Sequence, residues 1–442
     1  MTRTIFKNAR LLDPASDLDA LGAVLVEDGR VVEAGPQVFI DAVQEDVDVV
    51  DCAGKCLAPG LIDMRVTTGE PGNEHLETLA SACQAAAAGG VTTIACLPNT
   101  DPVVDDVALL EFVERRAAEV GLISVHSYAA ATKRTRGEEM SEIGLLHEAG
   151  ALGFTDGPKA IASAMVMRRL LSYSTVFGTL VIQHPEIPEL VGEGVMSEGE
   201  TATRLGLAGI PAAAEVMMIE RDLRLLALSG GRYHASRVTT SAAIEVIAKA
   251  KADGLAVTCD TAPHYFALNE GAVTDYRTFA KVSPPLRSEA DRRSVLAGLA
   301  NGTIDAIVSD HTPRDQDSKR LPFNQAADGA VGLETLLQVT LENVHNGALT
   351  MLQAIQALSL RPAEILGLPG GRLTKGAPAD LVIFDPNIAG VIDAEKFHSK
   401  CKNSPFDGKP VQGRVLKTVR GGRVVYAHDA EEAPSRAHLA HA

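Results

Sequence analysis

Basic charge, long apolar runs and cysteines at useful spacing are all scarce in this 442-residue chain. Lys and Arg number 41 against 57 Asp and Glu, a formal net charge of −16, which argues against nucleic acid or an anionic membrane as partner. No apolar run approaches the roughly 18 residues of a membrane-spanning helix. The first residues, 1–6, lead straight into strand-like alternation with no apolar signal segment. The six cysteines are scattered, and three residues separate Cys52 from Cys56 where a redox or zinc knuckle has two. Cys96 and Cys259 fall in apolar runs, where buried thiols are common. These absences lead to the expectation of a reduced, cytoplasmic protein with no nucleic acid and no membrane among its partners.

What is present is enough apolar material for a large core: 46% hydrophobic residues with an ordinary 22% charged. Both ends of the chain are β-rich. Residues 4–12 and 23–34 alternate as strands about an Asp28-Gly29 turn, and 380–384, 414–419 and 423–426 do so about Gly421-Gly422. Gly-Arg-Val-Val occurs at both 29–32 and 422–425, a weak internal repeat. Between the ends, short apolar runs at 61–66, 92–97, 123–128, 151–155, 179–183, 233–238, 256–259 and 305–309 alternate with stretches of helical periodicity such as 76–88, 107–120 and 242–252. Eight such alternations predict an α/β fold, a (β/α)8 TIM barrel over 58–370. The expected small composite β-sandwich domain is built from both termini, 1–57 and 371–428. The polar stretch 314–329 reads as a mobile loop at the barrel mouth. The Ala/Glu/His-rich end, 429–442, reads as a disordered tail whose histidines are not ligands.

Barrel enzymes carry their chemistry at the C-terminal ends of the strands. The polar residues expected there are Arg65, Thr67, Asn99, Asp156, His184, His234, Arg237, His264, Asp310 and His311. Any one alone is more often a satisfied core polar group. Their recurrence at one level of the barrel makes them candidates as a set.

Several strings carry a family resemblance: Pro-Gly-Leu-Ile-Asp at 59–63, Leu-Pro-Asn-Thr at 97–100, the segment 192–211, Thr-Ala-Pro-His at 261–264, 281–287, 302–313 and 332–336. On these the chain resembles the dihydroorotases of the amidohydrolase superfamily, in the class with an Asp on strand four, over nearly its full length. The resemblance implies zinc-assisted interconversion of carbamoyl aspartate and dihydroorotate, with an Asp after strand eight shuttling the proton. It sets the family's first-strand His-x-His pair on Arg65 and Thr67, the strand-four carboxylate on Asp156 and the strand-five histidine on His184. The strand-six histidine falls on Arg237 and the proton-shuttling aspartate on Asp310. Among substrate contacts Asn99 is kept. The carboxylate-clamping arginine falls on Gly69, an asparagine on Ser283, and a histidine on Arg314.

Losing groups that merely orient metal ligands costs about 10–100-fold in affinity. Three ligand imidazoles are missing here, and two of their positions hold guanidiniums, which offer a metal no lone pair. Each guanidinium would repel a cation by about 4 kcal/mol per charge pair at ~4 Å and an effective dielectric of ~20. The expectation is therefore no zinc, with Asp156 and His184 as remnant ligands and Asp310 retained without a catalytic role. Arg65 and Arg237 would neutralise Asp156 and Asp310 in an ion-pair network. Family members lacking the histidine pair serve as structural subunits of aspartate carbamoyltransferase, and the resemblance implies that partner and a homodimer. The alternative is an active dihydroorotase or related cyclic amidohydrolase with zinc on a reduced set, Asp156, His184 and Asp310. A third reading is an anion-binding cavity lined by Arg65, Arg237 and Arg314.

Overall fold

The computed structural model describes residues 3–38 and 47–428, so the tail expected at 429–442 lies outside the described residues. The N-terminal strands are β1 (Arg3–Asp13), β2 (Leu18–Glu27), β3 (Arg30–Gly35), β4 (Asp48–Asp51) and β5 (Cys56–Pro59). The central region contributes β6 (Leu61–Val66), β7 (Val91–Cys96), β8 (Ser124–Ser127), β9 (Leu180–Gln183), the short pair β10 (Met196–Ser197) and β11 (Gly209–Ile210), β12 (Arg232–Ala235), β13 (Val257–Thr261) and β14 (Ala306–Ile307). The C-terminal strands are β15 (Leu381–Val391), β16 (Pro410–Arg420) and β17 (Arg423–Ala427).

Strands from both termini join in one eight-stranded sheet, in the order β17-β16-β15-β5-β1-β2-β3 with β4 alongside β1. Its central strands are apolar on both faces because both faces are covered. Leu57, Leu381 and Ile383 enter the sheet's own core with Phe6, Leu11 and Val24, while their neighbours Ala58, Val382 and Phe384 enter the barrel core. The period of two along a strand thus divides one run between two cores. The repeated Gly-Arg-Val-Val strings are two hairpin tips that meet. A Cβ on Gly29 would lie 3.0 Å from the Gly421 carbonyl oxygen, and Asp28 and Gly29 adopt φ of 47° and 77°, as a tight hairpin turn requires.

The barrel strands run parallel, β6-β7-β8 on one side and β9-β12-β13-β14 on the other. The run 151–155 expected as strand four contributes single bridges, Phe154 to Ala129 and to Val181, which join the two halves. On the other side Val66 bridges His311, and Thr67 N–H donates to the His311 carbonyl at 2.8 Å. Asp63, fully buried, accepts from Ser309 N–H and Arg65 N–H at 3.1 Å each, tying the first strand to the eighth.

The polar stretch 314–329, expected as a mobile loop, is anchored instead. It holds a short helix, Gln316–Lys319, and two lysine ammoniums grip its carbonyls. Lys281 Nζ donates to Phe323 and Ala326 at 2.8 and 2.7 Å, and Lys319 Nζ donates to Ala327 at 2.8 Å. Burial pushes the Lys319 ammonium down to about 7.

Phe154 is fully buried and bridges the two half-barrels on one side. Phe154→Ala should cost about 3–5 kcal/mol, read as a lower midpoint in urea denaturation.

Candidate functional site

The end of β6, the turn after β12 and the turn after β14 bring Arg65, Arg237 and Asp310 together inside the barrel, each 3% exposed. Arg65 Nε donates to Asp310 Oδ1 at 2.9 Å. Arg237 Nη1 lies 3.3 Å from both carboxylate oxygens and also donates to the Ser283 carbonyl. Both Arg237 and Asp310 are held at positive φ, 62° and 50°, where neither residue type rests without support. Burial pushes the Asp310 carboxyl up, but Arg237, His264 and Arg65 outweigh it and hold the group well below the usual carboxylate range. Arg65 is pulled down by burial and by the like charge of Arg237. For Arg237 burial acts the same way and is overcome by Asp310.

His184 continues the network. Its Nδ1 sits 2.8 Å from Arg237 Nη2 and its Nε2 lies 3.1 Å from Glu186 Oε2. Burial and then Arg237 lower its pKa, so the imidazole is neutral. A guanidinium only donates, so Nδ1 must be the acceptor and Nε2 must carry the proton. Behind it, Arg287 Nη2 stands between Glu186 and Glu215, at 3.5 and 3.8 Å. Arg287 Nη1 donates to the Ile210 carbonyl at 3.0 Å, which brings the segment 192–211 into the site's support.

Asp156 departs from the expected network. It forms no ion pair with either arginine among the described residues. Its Oδ1 accepts from Thr132 N–H at 2.8 Å and its Oδ2 from the Thr132 hydroxyl. Burial raises its carboxyl to about 6 against the pull of those hydrogen bonds. Burial outweighs both those donors and the more distant Lys159 ammonium, so the carboxyl resists ionisation.

The other candidates divide. Asn99 lies beside Gly157, where a Cβ would stand 3.3 Å from the Asn99 Cβ, and its buried Oδ1 has no hydrogen-bond partner among the described residues. Thr67 serves through its backbone at the barrel seam. His264 Nε2 is 3.6 Å from Asp310 Oδ2, beyond hydrogen-bond reach. His234 is turned to Thr258 and Asp260, at 2.8 Å each, and His311 to Glu77 at 3.3 Å. Arg314 is not a cavity residue: its Nε donates to the Asp328 carbonyl at 2.8 Å. At Gly69 a Cβ would overlap the carbonyl oxygens of Asn73 and Glu77, so no side chain fits there. The sequence reading did not single out Glu186, Asp260, Glu215 or Arg287 as site residues. Glu186 follows His184 by two residues, and Arg287 ends the string at 281–287, which were the available signals.

This donor set does not fit a zinc ion. The one lone pair of neutral His184 faces Arg237, Asp310 is clasped by two cations, and Asp156 is taken by Thr132. Among the described residues no group of three or more His, Cys, Asp or Glu side chains is arranged to hold a metal.

The family model for dihydro-orotase-like proteins matches residues 54–243, and an amidohydrolase family model matches 336–426. The dihydroorotase of Pelobacter propionicus is 44% identical over 96% of this chain and 99% of its own, and that of Geotalea daltonii 43% identical over the same shares. The chain belongs to the dihydroorotase family. Among solved structures, the L-hydantoinase of Arthrobacter aurescens superposes with a TM-score of 0.86 at 27% identity, covering 96% of each chain. The dihydropyrimidinase of Brevibacillus agri does so at 0.82 and 22% identity, over 96% of this chain and 95% of that one, a likeness of fold alone. Family membership and barrel architecture therefore stand as the sequence reading had them.

Two outcomes test the site's energetics. Asp310→Ala leaves two buried guanidiniums without their carboxylate and should cost about 3–5 kcal/mol in urea denaturation, where a carboxylate free of ion pairing would cost far less. Asp156, raised to about 6 in the folded chain, binds its proton more tightly there than when unfolded. Its contribution is therefore full below the ordinary carboxylate value near 4 and is lost as pH rises toward about 6. Asp156→Asn should flatten the fall in stability across that window, measured by denaturation midpoints against pH.

Proposed function

We propose that this chain is a member of the dihydroorotase family that does not hydrolyse cyclic amides, holds no zinc, and serves as a homodimeric structural partner of aspartate carbamoyltransferase. The observation that carries the reading is the clasp of Arg65 and Arg237 on Asp310. A metal entering there would have to displace two fixed positive charges from the carboxylate it needs. Substrate recognition points the same way, since Gly69 has no room for a side chain and Arg314 faces Asp328. The partner and the dimer rest on the resemblance to family members without the histidine pair. All six cysteines are free and buried, which fits a reducing, cytoplasmic setting. Among the described residues no helix is long and apolar enough to cross a membrane.

The competing reading is an active dihydroorotase or related amidohydrolase with a reduced zinc site. It is favoured by the 43–44% identity to proteins named dihydroorotase and by the retained Asn99, Asp156, His184 and Asp310.

Protein purified without chelator should carry no stoichiometric zinc and should interconvert carbamoyl aspartate and dihydroorotate in neither direction, with its melting temperature unmoved by chelator. Near-stoichiometric metal accompanied by turnover would establish the competing reading. Retention of the chain by aspartate carbamoyltransferase in a pull-down tests the partner separately.

A further inference from the structure

A cleft of about 780 Å³ lies toward the N-terminal ends of β6–β8, between the barrel and the two hairpin tips of the terminal sheet. Its position separates it from the arginine clasp, which sits where those strands end. The tips contribute three guanidiniums, Arg30, Arg420 and Arg423. Across from them the barrel contributes the hydroxyls of Thr93 and Ser124 and the imidazole of His126. Three arginines converging on one cleft are notable in a chain of net charge −16, whose overall field otherwise repels anions.

The guanidiniums are positioned but not spent. Arg30 Nη1 donates to the Gly376 carbonyl at 2.9 Å and Arg420 Nη1 to the Gly121 carbonyl at 2.8 Å, which fixes each side chain and leaves its other N–H groups. The side chains of Arg423 and His126 form no ion pair or hydrogen bond among the described residues. Of the two carboxylates lining the cleft, Asp28 is exposed at its hairpin tip. Asp380 Oδ1 accepts from Gly421 N–H at 2.7 Å, and burial pushes its carboxyl up against the pull of that bond and of Arg420.

We propose that this cleft binds a phosphate ester of mononucleotide size, the phosphate held by Arg423 with Arg30 and Arg420, and the remainder lying against Thr93, Ser124 and His126. The planar fork of a guanidinium matches paired phosphate oxygens, which favours phosphate over a single carboxylate. The cleft also falls within the roughly 300–1,000 Å³ of small-molecule sites. Binding there would tie the sheet tips to the barrel wall, and so couple the ligand to the seating of one domain on the other. None of this depends on whether the chain hydrolyses cyclic amides.

The test is isothermal titration calorimetry of the full chain with adenosine 5′-monophosphate, with adenosine as the control. The monophosphate should bind and adenosine should not, and Arg423→Ala should weaken binding about tenfold, with Arg423→Lys in between. Arg423 is exposed, so the variant should fold, and its circular dichroism and melting temperature verify that. No heat from the monophosphate at millimolar concentration overturns the proposal. So does equal binding of adenosine, or unchanged affinity in Arg423→Ala.

Discussion

The barrel mouth is organised around one buried carboxylate clasped by two buried guanidiniums. Asp310 cannot lose its partners without leaving an uncompensated charge in a low-dielectric interior, and neither arginine can lose Asp310 without the same penalty. Positive φ at both Asp310 and Arg237 shows that the surroundings impose the arrangement on the backbone. The charges nearly cancel by layers. Asp310 answers Arg65 and Arg237, neutral His184 relays from Arg237 to Glu186, and Arg287 stands between Glu186 and Glu215. Arg237 fixes the hydrogen-bond direction of His184, and through it that of Glu186.

That network explains why the outline of a metal site survives without its donor capacity. A metal site needs free lone pairs converging on one point. Here the histidine lone pair and the carboxylate oxygens converge on guanidinium N–H groups, which occupy a cation's role with a geometry of their own. Asp156 stands outside the exchange, since Thr132 satisfies it locally and burial raises its carboxyl to about 6. The scaffold beneath rests on other contacts. The seam at Asp63, Ser309 and His311 and the anchored stretch 314–329 rely on backbone groups and lysine ammoniums, not on a metal.

Much of the architecture was legible in the residues. The runs at 61–66 and 107–120 appear as Leu61–Val66 and Val107–Val120, and the Asp28-Gly29 turn is where the alternation put it. Less legible was the fourth strand, whose regular bridges are confined to Phe154 although Leu152, Gly153 and Thr155 also hydrogen-bond to the chain at 127–131. The stretch 314–329 misled through its polarity: its own carbonyls find partners in two lysines, one of them, Lys281, distant in sequence. The hairpin tips that meet at Gly29 and Gly421 were visible as a repeat, but not as a contact.

By itself the sequence determined which residue types stand at the ends of the barrel strands. Arginine at 65 and 237 was enough to remove imidazole lone pairs from those positions, because that property belongs to the side chain wherever it points. Only the tertiary structure decided which carboxylate the arginines would take. Asp156 and Asp310 are both acidic residues at strand ends, and one chose Thr132 while the other drew both guanidiniums. Charge pairing depends on distance and burial across elements far apart in the chain, and those are set by closure of the barrel.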